Sequence, residues 1–188
     1  MRVTLQRYTV FAHPEHLIHK PNESVSVDFR AVDANEQPVE VAGRVTVVRR
    51  AWKKRWIERA GNRVDAGRHE EETIVETSVK TAKDGNATLT FTPKRDGYYV
   101  IRWRSEDGPK ARDVVTAETA VWVAERATTD VGYILGSGID VLVDRDSMRQ
   151  GQTAAAMIVT PASGRWVLLS TTGDDLLDTQ LLKLDGTV

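Results

Sequence analysis

Three histidines, His13, His16 and His19, stand three residues apart near the start of the chain. At that spacing imidazoles share one face of a helix and could hold a zinc ion. Pro14, Pro21 and the strand-like pattern around them argue against a helix, and on a strand these side chains alternate between faces and do not converge on one ion. They read as solvent-exposed loop histidines. Asp140, Asp144 and Asp146 suggest calcium, a hard cation that wants several oxygens. No Gly or closing Glu follows at the positions of an EF-hand loop, so the cluster reads as a polar strand end, and Asp174-Asp175 reads as a turn.

The densest candidate lies in residues 44–69. Arg44, Arg49, Arg50, Lys53, Lys54, Arg55, Arg59, Arg63 and Arg68 face Glu58, Asp65 and Glu70, with Trp52 and Trp56 between them. Basic residues interleaved with aromatics are the footprint of single-stranded nucleic-acid or glycan binding. The competing reading is a long β-hairpin with its tip near Gly61-Asn62, whose arginine stems cover the tryptophan faces. The near-neutral chain and the acidic run Glu70-Glu71-Glu72 favour the hairpin, so no nucleic-acid partner is expected. If this stretch binds a partner, the residues are Arg49, Arg50, Trp52, Arg55 and Trp56.

Nothing convergent points to catalysis. The sequence holds no Gly-x-Ser-x-Gly elbow, no glycine-rich phosphate loop and no His-Glu-x-x-His. Cysteine is absent, which removes disulfides, thiolate nucleophiles and cysteine zinc sites. No catalytic, cofactor-binding or metal-binding residue is assigned, and the chain is expected not to be an enzyme.

The elements that must position these residues read as strands. No segment sustains a helical period. Alternation recurs at Val25, Val27 and Phe29, at Val45 and Val47, along residues 74–79, and at Val121 and Val123. The segment of residues 81–104 reads as strand, turn, strand. Asp84-Gly85 turns, Ala87, Leu89 and Phe91 alternate with threonines, Pro93 stops that strand, Asp96-Gly97 turns again, and Tyr99, Ile101 and Trp103 alternate in turn. These two strands are predicted to form a hairpin.

About seven strands are expected over residues 1–125, an antiparallel sandwich of the immunoglobulin or fibronectin type. Residues 126–138, with Gly136-Ser-Gly138, read as a linker. About four more strands follow in 139–188, too few for an independent sheet. This partial module is predicted to dock on the first or to pair its open edge with another copy. Residues 18–29 and 146–157 share a polar turn followed by a strand of small and branched residues, so the two halves read as copies of one module.

The 188 residues, 40% hydrophobic and 28% charged, can bury a substantial core. Net charge is −1, which steers the chain neither to nucleic acid nor to anionic lipid. No apolar run approaches the roughly 18 residues of a membrane helix. Residues 1–7 already alternate like a strand and show no signal peptide. The chain is therefore expected to be either cytoplasmic or an internal segment of a longer protein with Met1 added, and the second reading is preferred.

In order and spacing, these phrases resemble a bacterial alpha-2-macroglobulin across nearly the whole chain. Macroglobulin-like domains in that family open with a turn of the form Tyr-x-Pro-Gly-(Asp/Glu)-x-(Val/Ala). Lys20-Pro-Asn-Glu-Ser-Val25 and Met148-Arg-Gln-Gly-Gln-Thr-Ala154 are similar, without the aromatic and with Asn22 where Gly is usual. Ala31-Val-Asp-Ala-Asn-Glu-Gln-Pro-Val39 resembles a mid-domain phrase, with Glu36 in place of Gly. Arg49-Arg-Ala-Trp52, residues 81–87, residues 97–101 and Val121-Trp-Val123 resemble the phrases that follow. Thr160-Pro-Ala-Ser-Gly-Arg-Trp-Val-Leu-Leu-Ser170 resembles the opening of the bait-region domain.

The resemblance implies a scaffold segment of a protease-trapping endopeptidase inhibitor in the periplasm, the cell envelope or outside the cell. Full-length members are cleaved in a bait segment, rearrange, and can couple a thioester to the attacker. The thioester needs a Cys, so this segment holds none, and no cofactor is implied. Implied partners are neighbouring domains of the parent chain and, through the parent, proteases; a homodimer through an open sheet edge is a further expectation. The alternative function is a surface module that binds a protein or glycan through the hairpin of residues 44–69.

Overall fold

The computed structural model describes residues 6–53, 55–65, 67–106, 114–125, 128, 138–144, 149, 151–160, 162–172 and 175–188, with backbone alone for Trp52, Trp56, Arg63, Val64, Asp65 and Leu176. The described residues are all-β. Ten strands precede residue 125: β1 (Tyr8–Pro14), β2 (Ile18–His19), β3 (Val25–Asp33), β4 (Ala42–Lys53), β5 (Trp56–Arg59), β6 (Asn62–Asp65), β7 (Arg68–Lys80), β8 (Asn86–Phe91), β9 (Gly97–Ser105) and β10 (Thr116–Val123). Four follow it: β11 (Asp140–Val143), β12 (Ala156–Val159), β13 (Arg165–Thr172) and β14 (Leu176–Leu184).

The first module is a sandwich of a three-stranded sheet, β1-β3-β8, and a five-stranded sheet, β2-β10-β9-β4-β7. All pairs are antiparallel except β10 with β2. Alternate residues of both sheets point inward, as period-2 patterning requires. Val25, Val27, Phe29 and Ala31 of β3 meet Val45 and Val47 of β4, Tyr99, Ile101 and Trp103 of β9, and Val121 and Val123 of β10. Trp103 lies against Gly43, where a Cβ would come within 2.2 Å of the indole, so the largest core side chain requires glycine on the neighbouring strand.

The expected hairpin over residues 81–104 does not form. β8 belongs to the three-stranded sheet and β9 to the five-stranded one, so the chain arches over the core between them. Both strands alternate because both face the same core, and Phe91 and Tyr99 meet across it with ring centroids 6.2 Å apart. Alternation reports that one face is buried; it does not report which strand lies alongside. The Asp84-Gly85 turn is likewise a crossing between sheets, from β7 to β8. Gly85 has φ +77, and a Cβ there would fall 2.5 Å from the carbonyl oxygen of Ala31.

Eight strands build the sandwich rather than about seven, because the two-residue β2 carries no sequence signal of its own. β5 and β6 extend the β4–β7 hairpin as expected, turning at Ala60 and Gly61 with φ 52 and 78, one residue before Gly61-Asn62. Asn22 and Glu36, which stand where the related motifs have Gly, also adopt positive φ, 68 and 64.

β11–β12 and β13–β14 are separate two-stranded sheets. The β1–β3 register Pro14↔Val27 and His13↔Asp28 returns as Val143↔Ala156 and Leu142↔Met157, 129 residues further along on both strands. The bond from Glu15 N to Ser26 O returns as Asp144 N to Ala155 O. The turn before the strand also repeats. Glu23 N bonds Lys20 O and a Glu23 carboxylate oxygen accepts from Lys20 N; Gln152 N bonds Arg149 O and the Gln152 amide oxygen accepts from Arg149 N. The left-handed residue is Asn22 in one and Gly151 in the other. The repeat read from residues 18–29 is thus present, aligned one residue differently, Lys20 on Arg149. Most of the expected linker, residues 126–138, lies outside the described residues.

Candidate functional site

The basic stretch has its counter-charges built in. β4 and β7 pair Arg50 opposite Glu71 and Arg49 opposite Glu72, so the basic and acidic runs lie side by side. Arg50 Nη2 lies 2.6 Å from Glu71 Oε1, Arg102 Nη1 lies 2.8 Å from Glu71 Oε2, and Arg102 Nε donates to Glu118 Oε2 at 2.7 Å. Arg44 pairs with Glu76, and Lys53 and Arg68 share Glu70. Arg95 pairs with Glu72, and Lys80 with Glu40. The hydrogen bonds from Arg102 and then Arg50 hold the Glu71 carboxyl down at about 2, and Glu71 and Glu118 raise the Arg102 guanidinium above its ordinary value. The result is a charged ladder across the outer face of the five-stranded sheet. Such a ladder protects the long edge strand β7 against pairing with another chain.

Of the five candidate partner-binding residues, Arg49 and Arg50 serve the sheet. Arg49 donates from Nε to the carbonyl of Asp96 at 2.7 Å and covers Gly97, where a Cβ would meet that same nitrogen at 2.9 Å. Arg55 is exposed at the base of the β5–β6 hairpin, immediately before β5. The backbones of Trp52 and Trp56 sit in β4 and β5; their side chains lie outside the described residues.

A second site joins the modules. The Asp144 side chain, 5% exposed, follows β11 and is buried against the loop between β1 and β2. Its Oδ1 accepts from the backbone amides of Leu17 at 2.6 Å and Ile18 at 3.1 Å, and its Oδ2 lies 2.5 Å from His16 Nδ1. Burial pushes the carboxyl up, but the hydrogen bond from His16 and those from the Ile18 and Leu17 amides outweigh it, leaving the group below the usual range. The His19 ring stands edge-on to that of His16 at 6.2 Å, and its Nε2 lies 3.0 Å from the His16 carbonyl. Around this polar centre Met157 and Val159 pack on Ile18, Trp122, Ala124, Leu142 and Val188. Thr187 donates from N and Oγ1 to the carbonyl of Thr128.

His16 and Asp144, each noticed in the sequence as a possible metal ligand, are therefore partners of one another. His13 lies instead on β1. Among the described residues no group of three His, Asp or Glu side chains is placed to hold an ion; Asp146 lies outside them. The sequence carried no signal for the pairing of residues 16 and 144. A half-open groove of about 570 Å³ on the outer face of β1 and β3, lined by Tyr8, Phe11, His13, Asp28 and Arg30 among others, also went unforeseen.

Solved structures of similar fold are found among bacterial alpha-2-macroglobulins. Salmonella alpha-2-macroglobulin reacted with methylamine matches at TM-score 0.52 and 14% identity, over 94% of this chain and 12% of that one. The chain has the fold of a bacterial alpha-2-macroglobulin segment. A point mutant of the Salmonella protein matches at TM-score 0.51 and 13% identity, over 94% of this chain and 12% of that one. The native conformation of E. coli alpha-2-macroglobulin matches at 0.46 and 15% identity, over 90% of this chain and 11% of that one. The chain thus spans about an eighth of the length of the Salmonella proteins. No family model and no curated protein matches it. No helix among the described residues is long and apolar enough to cross a membrane.

Proposed function

We propose that the chain is a scaffold segment of a bacterial alpha-2-macroglobulin-like protease trap, located in the periplasm or cell envelope or outside the cell, and that it is not itself an enzyme. The observation that carries this is the junction between repeats. A trap that responds as a whole to one cut needs modules whose relative positions are set by specific contacts rather than by a loose linker. Asp144 and the apolar cluster around Met157 supply such contacts. The likeness of fold to the Salmonella protein supports the same reading, and the missing Cys keeps any thioester outside this segment.

The test uses the longer polypeptide with a panel of unrelated proteases, following cut sites by mass and compactness by scattering. One early cut, then compaction and retained protease, is the expected result. Scattered slow cuts with no change of shape would overturn it.

The second reading, a module that binds a protein or glycan partner, has one observation in its favour. β5 and β6 pair with each other and, among the described residues, with no other strand, so their tip stands clear of the sandwich. Under this reading the joint substitution Arg55→Ala, Trp56→Ala abolishes ligand capture, whereas a scaffold keeps its behaviour.

A further inference from the structure

The outer face of the β1–β3 pair occurs twice in the chain, and its two copies carry different side chains. In the second module Leu142 of β11 and Met157 and Val159 of β12 pack against Ile18, Trp122 and Ala124 of the first. The 129-residue shift puts His13, Asp28 and Arg30 at those three positions in the first module, and all three are exposed. Glu15, the counterpart of the Asp144 that closes the junction, is exposed too. The template is apolar and covered in one copy, polar and solvated in the other. Covering His13, Asp28 and Arg30 with apolar surface would strip their water without replacing it. The first copy of the face is therefore unsuited to seat a module as the second does.

It carries the half-open groove of about 570 Å³ instead, a size within the roughly 300–1,000 Å³ of small-molecule sites. Phe11 stands directly across from Arg30, and Arg30 from Asn86; His13, Asp28 and Thr88 form the next row. Phe11 is 56% exposed, whereas Phe29, on the inner face of the same sheet, is fully buried. An apolar ring thus faces water among polar groups. Thr88 Oγ1 donates to Asp28 Oδ1 at 2.6 Å and fixes that carboxylate. Arg30 makes no ion pair among the described residues, so its guanidinium keeps its donors for a ligand. Asp33 Oδ1 accepts from the amides of Asn35 at 2.8 Å and Gln37 at 2.9 Å and holds the turn that walls one end.

The charges of the lining select against an ionic occupant. An anion would meet the carboxylates of Asp28, Asp33 and Glu36, and a cation would meet Arg30 in the middle of the face. Donors and acceptors stand about 5 Å apart across neighbouring strands, a spacing comparable with a pyranose ring. We propose that the outer face of the three-stranded sheet binds an uncharged oligosaccharide. Phe11 stacks on the C–H face of one sugar ring, while Asp28, Arg30 and Asn86 hydrogen-bond its hydroxyls. The groove belongs to the opposite sheet from residues 44–69, and its use is independent of the trap.

Titration of ¹⁵N-labelled residues 1–188 with maltohexaose, cellohexaose, chitohexaose and mannohexaose in turn, followed by amide chemical shifts, tests this. At least one sugar is expected to move residues 9–13, 28–30 and 86–88 with saturation at millimolar concentration or below. Phe11→Ala and Arg30→Ala should each weaken it by about tenfold or more, the effect of losing a charge-assisted bond or its equivalent. Both side chains face outward, and thermal melts of the variants show that the fold is kept. Arg104→Ala, on the outer face of the other sheet, should leave binding unchanged. No shift with any of the four sugars overturns the proposal, as do shifts confined to residues 55–65. Binding that survives either Phe11→Ala or Arg30→Ala in a folded variant overturns it too. Displacement of the sugar by equimolar inorganic phosphate would make the site an anion site and overturn it as well.

Discussion

The pair β1–β3 and the pair β11–β12 share register and turn but not surroundings, and the contrast separates what backbone geometry supplies from what burial supplies. Glu15 and Asp144 occupy the same repeat position and donate the same backbone hydrogen bond, yet Glu15 is exposed and Asp144 is buried against residues 16–18. Val10 and Ile139 likewise share a position and differ in cover. One backbone template serves as closed core in one copy, and as junction and exposed face in the other. Local geometry sets the template, and the neighbours decide what each side chain is worth.

The sharpest way to break this comparison is in the closed core. Phe29→Ala is expected to destabilise the first module by about 3–5 kcal/mol, the range for a buried aromatic cut back to a methyl. Urea unfolding followed by tryptophan fluorescence measures it; a loss below a third of that range would mean the sandwich is less closed than its burial indicates.

Next is the junction. Asp144→Ala strands the amides of Leu17 and Ile18 and is expected to cost about 2–4 kcal/mol, at about 1–2 for each of these two part-buried groups, the lower part of the range for an unsatisfied donor. Its repeat counterpart, Glu15→Ala, should change stability by less than about 0.5 kcal/mol. Exchange rates at the amides of residues 17 and 18 report the first directly, and equal effects of the two substitutions would dissolve the distinction between the copies. Acid acts in the same direction. The Asp144 carboxyl titrates below its unfolded value, so its contribution is present above that value and fades as pH falls through the folded one. Glu71, held at about 2 by Arg102 and Arg50, makes the ladder behave likewise between its ordinary value and about 2. A pH series of thermal melts should show Asp144→Asn flattening that acid limb.

The open face should be less sensitive. Val10→Ala is expected to lose about 2 kcal/mol and Ile139→Ala less than about 0.5 kcal/mol in residues 1–188, since only the first removes buried methyl groups. Comparable losses would show that Ile139 is covered in solution.

The smallest effect concerns the turns. Glu36→Gly, at φ 64, is expected to stabilise by about 0.5–1 kcal/mol, the left-handed penalty less the added freedom of glycine in the unfolded chain. Gly151→Ala, at φ 83, should destabilise by a similar amount. Differential scanning calorimetry resolves both, and a destabilising Glu36→Gly would mean that the Glu36 side chain holds the turn.

Much of this was legible beforehand because it is local. Alternation placed most of the strands, and the phrases around Asn22, Gly85 and Gly151 marked turns, which the structure shows to be left-handed at those three residues. The charge of Arg49 and Arg50 and the acidic run at residues 70–72 were visible too, as was their tendency to neutralise one another. His16 and Asp144 drew notice for metal chemistry that the structure does not assemble; they meet across 128 residues of chain, a separation at which sequence spacing carries no information.

By itself, then, the sequence determined which residues of the longer strands are extended, where the chain turns, and that residues 146–157 resemble residues 18–29, because period-2 burial and turn chemistry act over a few residues. Only the tertiary structure decided that β8 and β9 lie in opposite sheets, that Glu71 is shared by Arg50 and Arg102, and that Asp144 closes the junction while Ile139 stays open. Each of those depends on which distant surface excludes water from a given face, and that is a property of the assembled sheets.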